Sequence, residues 1–169
     1  MRYVLSALLV LSVLVKPVLA QEFGNWAVDA KSEKFLYAAT VNESGALLGQ
    51  FCFVEGGSCV WLIGMDTGCN KGDEYTVLAN SDAGSSAMQV LCDGQLDNGM
   101  YRYGFSDFES IDTLLKTATR VGFAVPLQSD QFKVFRFKLE GAKPAISVMR
   151  ALAEKRMKNS ETGTKDDTI

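Results

Sequence analysis

The sequence contains no histidine in 169 residues. Without imidazole there is no Ser-His or Cys-His nucleophile pair, no histidine-ligated zinc and no side chain that ordinarily titrates near neutrality. Most familiar hydrolase mechanisms are thereby excluded, and only carboxylate or lysine chemistry stays open to an enzyme. A basic surplus is missing too: 17 Lys and Arg stand against 20 Asp and Glu, whereas unaided nucleic-acid binding needs a dense basic face. Nucleic acid is therefore not an expected partner, and a protein or a glycan is. Also lacking is an apolar run of membrane-spanning length. The run inside "MRYVLSALLVLSVLVKPVLA" covers about a dozen residues before Lys16 and Pro17 close it, against the roughly twenty a spanning helix needs.

That segment has the parts of a secretory signal instead: Arg2 at the start, an apolar stretch over residues 4–15, and Val18, Leu19 and Ala20 before a cut. Residues 1–20 are read as a removed signal peptide and Gln21 as the mature start. No cysteine follows the cut to carry a lipid, and no integral membrane segment is expected once the signal is gone. The remaining 149 residues suit one domain with a real core, carrying 15 basic and 20 acidic side chains.

Along the mature chain, "GNWAVDA" (24–30) and "EKFLYAATV" (33–41) are rich in aromatic and branched residues and read as strands. The turns "NESG" and "EGGS" then set up a meander through "ALLGQFCFV" (46–54) and "CVWLIGM" (59–65), with paired glycines providing the positive φ of a tight hairpin. Further strands are expected at 74–80, 87–92, 100–105, "RVGFAVPL" and "QFKVFRFKLEG". Between them the period changes: Phe108, Ile111, Leu115 and Ala118 recur at three- and four-residue steps, and Ser106 with Glu109 forms a capping box, predicting a short helix near 107–118. A second helix is predicted near 144–157, with Pro144 in its first turn and Ile146, Met149 and Leu152 or Ala153 on its apolar side, packed on the sheet edge or bundle end. Nine strands and two helices predict a mainly β fold, an antiparallel β-sandwich or barrel-like domain over 21–158. The polar stretch 159–169 is expected to be a disordered tail.

Cys52, Cys59, Cys69 and Cys92 are even in number in a chain read as exported, which implies disulfides. Of three pairings, Cys52–Cys59 with Cys69–Cys92 is favoured: the first pair brackets the EGGS turn, and the second ties an irregular loop to a strand end. Gaps of six, nine and twenty-two residues contain no C-x-x-C, so neither a zinc knuckle nor a thioredoxin-type centre fits. No metal or cofactor is expected.

The remaining candidates each have a plainer explanation. Asp66, Asp73 and Glu74, then Asp93, Asp97 and Asn98, offer oxygen ligands for calcium, but such residues in turns commonly bond their own backbone. Trp26, Trp61, Tyr101 and Tyr103 can line a ligand surface. Trp61, however, shares strand parity with Cys59 and is expected in the core. Lys133, Arg136 and Lys138 on a late strand, with Arg150, Lys155, Arg156 and Lys158 on the last helix, can form a patch for anions or simply a solvated face.

Residues 92–149, with a cysteine before a tyrosine-bearing strand, "IDTLLKTATR", "VGFAV" and "FRFKLEGAKPAI", resemble the closing segment of invasion-associated locus B-type exported bacterial proteins. The strand "FGNWAV" is similar to their Trp-containing N-terminal strand. The chain departs from that pattern in having no cysteine between Trp26 and Cys52, so no pairing is carried over. The resemblance implies a periplasmic or surface-located β domain, non-enzymatic and linked in some pathogens to association with host cells, and it brings no catalytic residues. The expected function is an exported, periplasmic or secreted, non-enzymatic binding or accessory domain. The alternatives are a carboxylate-dependent glycan-acting enzyme and an inhibitor or immunity protein.

Overall fold

The computed structural model describes residues 20–127 and 131–162. The expected leader, apart from Ala20, and tail residues 163–169 lie outside them. Ten antiparallel strands form one continuous sheet: β1 (Gln21–Phe23), β2 (Trp26–Asp29), β3 (Phe35–Val41), β4 (Leu47–Phe53), β5 (Ser58–Met65), β6 (Glu74–Ser81), β7 (Gly84–Gln95), β8 (Tyr101–Phe105), β9 (Arg120–Pro126) and β10 (Phe132–Lys138). Their spatial order is β1-β2-β3-β4-β5-β8-β7-β6-β9-β10. The helices are α1 (Phe108–Thr117) and α2 (Ala142–Thr162). The fold is mainly β and barrel-like, but the sheet does not close. Its ends meet at one corner, where Asn25 N–H donates to the Glu140 carbonyl (3.1 Å) and Trp26 Nε1 to the Lys138 carbonyl (3.3 Å).

Several boundaries differ from the sequence reading. β1 is a tenth strand, joined to β2 through Gly24 and Asn25, with Phe23 in register with Trp26. Three residues carry too little periodicity to announce a strand. β7 runs for 12 residues, because Ser85 and Ser86 join the ladder and a bulge between Cys92 and Gly94 keeps β7 paired with β8. The cap of α1 is Asp107 rather than Ser106. The Asp107 carboxylate accepts from Ser110 N (3.0 Å) and Ser110 Oγ (2.6 Å), and an anion there also suits the positive end of the helix dipole. The hydrogen bonds from Ser110 hold this carboxyl below the usual range. α2 begins two residues before Pro144, whose missing N–H falls among the first four that a helix leaves unpaired. It also runs into the segment read as tail, ending at Thr162.

α2 lies on the inner face of β1–β4 rather than on a sheet edge. Leu36, Ala38 and Thr40 are buried on the inner side of β3, and Ala142, Ala145, Ile146, Met149 and Ala153 are buried on α2. Small residues let the helix approach closely, so the bulky face of β3 turns outward. There Phe35, Tyr37, Phe51 and Phe53 form a half-exposed ring cluster, with Tyr37 and Phe51 stacked at 5.2 Å. Burial of Tyr37 and the negative charge of Asp29 beside it raise its phenol. At the closed corner Gly141 has φ +88°, and a Cβ there would fall 1.7 Å from the Phe23 carbonyl oxygen. Glycine is required on both counts.

The structure joins Cys52 to Cys59, which are register partners on β4 and β5, and Cys69 to Cys92 across a separation of 23 residues. Trp61 is fully buried and meets Trp26 edge to face at 6.3 Å. Tyr103 is also buried, with its hydroxyl donating to the Thr67 carbonyl at 2.7 Å. Burial, with neighbouring Tyr75 and Tyr101, pushes its phenol up to about 12.

Candidate functional site

The cations singled out in the sequence do not form one patch. Lys133 is bound to both oxygens of Asp66 (2.7 and 2.6 Å), just beyond β5. Arg156 donates to the carbonyls of Ala30 and Ser32 and fastens α2 to the β2–β3 turn. Lys158 pairs with Glu154 one turn earlier (2.6 Å).

Arg150 belongs to a buried cluster. It donates to Asp112 on α1 and, through Nε, to Gln50 Oε1 on β4 at 2.7 Å. Asp112 also accepts from Lys116 Nζ (2.6 Å) and Trp61 Nε1 (3.2 Å). Burial alone would raise the Asp112 carboxyl, but hydrogen bonds and charge from Lys116 and Arg150 outweigh it and hold the group below the usual aspartate range. An aspartate kept ionised between two cations can neither donate a proton nor meet a substrate. It ties α1, α2, β4 and β5 together.

Arg136 and Lys138 remain, and the fold adds Arg120, which sequence reasoning missed. All three are exposed on the outer side of β9 and β10. Arg120 is the register partner of Lys138, and Arg136 is that of Gly122. Among the described residues none of the three side chains forms an ion pair or hydrogen bond. Strand parity could have placed Arg136 and Lys138 together, but Arg120 joins them only through a register that the sequence does not display.

These cations border an open cleft of about 1290 Å³. Its floor is the outer face of β6, β7, β9 and β10, including Leu78, Asn80, Ala124 and Val134, and the end of β3 with the turn after it (41–44) forms a wall. Leu78 and Val134 are 48% and 40% exposed, so the floor offers apolar surface beside the charge. Two carboxylates also line the cleft, Glu43 on the wall and Asp82 in the β6–β7 turn. Asp82 accepts from Thr119 N (2.9 Å), Thr119 Oγ1 and Arg120 N (3.4 Å). Those bonds, the Thr119 hydroxyl foremost, lower its pKa, which disqualifies it as a proton donor near neutrality.

Four of the six residues considered for calcium are engaged elsewhere. Asp66 holds Lys133, Asp93 holds Arg102, Asp73 accepts from Asn70 Nδ2 (3.1 Å), and Asn98 accepts from the Met100 N–H (3.1 Å). Among the described residues no three acidic or thiol groups gather as a metal site would require, and no helix is long and apolar enough to cross a membrane.

The architecture is thus an open, ten-stranded antiparallel β domain, braced inside by two helices and stapled by two disulfides, with a cationic cleft outside. The same fold is found in a solved structure, invasion associated protein B from Bartonella henselae. The likeness has a TM-score of 0.58 at 13% identity and covers 80% of this chain and 99% of that one. No protein-family model matches the sequence, and no curated protein does.

Proposed function

We propose that this protein is an exported, disulfide-stabilised accessory domain that binds a partner and catalyses no reaction, and that it serves association with a host, in line with its structural neighbour being named an invasion associated protein. The observation carrying this reading is the state of the carboxylates. With no histidine in the chain, an enzyme would rest on acids, yet the buried Asp112 is neutralised by Lys116 and Arg150 and the cleft's Asp82 is bonded to Thr119. A glycosidase needs one carboxyl held protonated opposite a second, and both of these are shifted the other way. The two disulfides and the leader-like N-terminus support export to an oxidising compartment, periplasmic or extracellular.

The test is made on mature protein recovered from the periplasm or medium. We expect a chain starting at Gln21, no alkylatable thiol, the two disulfides on peptide mapping, and no turnover in a broad glycosidase, esterase and protease screen. Turnover that disappears in Glu43→Gln or Asp82→Asn protein would show an enzyme, and a cytoplasmic chain with free thiols would end the export reading.

A further inference from the structure

We propose that the outer cleft docks an extended acidic peptide, in which alternate side chains face the sheet: two or three carboxylates meet Arg120, Arg136 and Lys138, and apolar residues further along the same face lie on Leu78, Ala124 and Val134. This rests on the reading of the protein as a binding domain.

The first argument is the cost of the arrangement. Leu139 N–H donates to the Thr119 carbonyl (2.9 Å), which makes the neighbouring Arg120–Lys138 pair a non-hydrogen-bonded one, the type whose side chains stand closer. Like charges directly opposite destabilise a sheet. A terminal strand does use cations to deter edge-to-edge pairing, which accounts for Arg136 and Lys138 on β10. It does not account for Arg120, because β9 is an interior strand between β6 and β10, and just past the last β6 pair, Ser81 with Val121, the Arg120 N–H is taken by Asp82. An anion between them removes the repulsion.

The second argument is that the charge is unspent. Lys133, Arg102 and Arg150 each have a carboxylate partner, whereas the three cleft cations have none among the described residues. Asp82, one residue beyond β6 and in the cleft lining, is held by Thr119 and the Arg120 backbone.

The third argument chooses the ligand. Arg136 and Lys138 are alternate residues of one strand, about 6.6 Å apart, which is the spacing of alternate carboxylates in an extended peptide. The cleft volume exceeds the roughly 300–1,000 Å³ of small-molecule pockets, leaving room for several residues. Glu43 and Asp82 in the lining repel a dense polyanion such as a sulfated glycan, and exposed Leu78 and Val134 give such a glycan nothing to cover. Along the outer face of β10, Val134 is followed by Arg136 and Lys138, so a chain whose sheet-facing, alternate residues are apolar at one end and acidic at the other fits both the charge and the apolar floor.

The experiment uses the disulfide-intact mature protein and a fluorescent octapeptide with Glu at its first and third positions, Val at its fifth and seventh and Ser between, so that one face carries both, followed by anisotropy in 50 and 150 mM salt. We expect this peptide to bind at least tenfold more tightly than its Gln/Val and Lys/Val counterparts, and to bind more weakly at the higher salt. Arg120→Ala with Lys138→Ala should weaken it at least tenfold, and Leu78→Ser with Val134→Ser about fivefold. Lys155→Ala, on the exposed side of α2, should change nothing, and circular dichroism and thermal melting will confirm that each variant folds. Equal affinity for the Gln/Val peptide, or unchanged affinity after the double cation change, overturns the proposal. Tighter binding of a heparin hexasaccharide through the same three cations also overturns it, in favour of a glycan site. Absence of peptide binding overturns the cleft proposal but leaves the reading as a binding domain standing, whereas cleavage of the peptide, detected by mass spectrometry, would sink that reading too.

Discussion

Arg150 and Arg136 are the same residue type in opposite circumstances. Arg150 sits inside the fold with a carboxylate, an amide oxygen and the Phe108 ring 5.6 Å away; Arg136 stands outside with glycine as its cross-strand partner. The buried carboxylate is fully engaged: Asp112 is met by two cations and an indole, so it holds helices to sheet and has nothing left to offer a ligand. The cleft cluster is incomplete. The lesson is that function is to be sought where charge is left unbalanced rather than where it is most concentrated.

That comparison can be tested in steps of decreasing size. The Cys69–Cys92 bridge ties the loop before β6 to β7, which carries part of the cleft floor and none of the buried cluster. Cys69→Ser with Cys92→Ser should cost about 3.5 kcal/mol by the loop-closure estimate. Denaturant midpoints would measure it, and Trp61 fluorescence of the folded variant should stay unchanged.

Asp112→Ala should cost about 3 kcal/mol, the low end for breaking a buried pair because Arg150 and Lys116 are partly exposed and can rehydrate. A loss within 0.5 kcal/mol in chemical denaturation would mean that the cluster is not the brace it looks like. Its pH dependence has a definite sign. The folded Asp112 carboxyl titrates below its unfolded counterpart, so its contribution is full above about pH 5 and is lost as pH falls through the unfolded and then the folded pKa. Stability curves from pH 7 to pH 2.5 should therefore steepen at the acid end, and Asp112→Asn should flatten them. At the alkaline end Tyr103 should resist ionisation until about pH 12, visible as a delayed component in the ultraviolet titration of the mature protein.

The smallest effect belongs to the cleft. Arg120→Ala or Lys138→Ala should move stability by no more than about 0.5 kcal/mol, and upward if relief of like-charge repulsion dominates. A substantial loss would mean that the cations hold the sheet together and are not free for a ligand.

The strands of the β3–β4–β5 meander, the two helices and the burial of Trp61 were legible because each is announced locally, by turn residues, a change of period or strand parity. The order β5-β8-β7-β6-β9 was not, since it depends on which long-range faces match and not on any adjacent signal. The outward turn of Phe35 and Tyr37 was hidden for the same reason: it is α2, more than a hundred residues later, that demands small side chains on the inner face. The candidate site was half legible. Arg136 and Lys138 could be named on one strand face, while their grouping with Lys133, Arg150 and Arg156 dissolved once each of those found a partner.

The corner where Asn25 meets Glu140 has a consequence in time. Trp26 reaches across 112 residues to Lys138, and Arg156 reaches across 126 to Ala30. The opening strands join β3 early in the chain, but the corner they form is locked only when β10 and α2 arrive, and contacts so distant in sequence slow folding. The chain cannot finish folding while its C-terminal part is still in the ribosome. A nascent polypeptide that stays unlocked until its last segment emerges remains threadable for that whole interval.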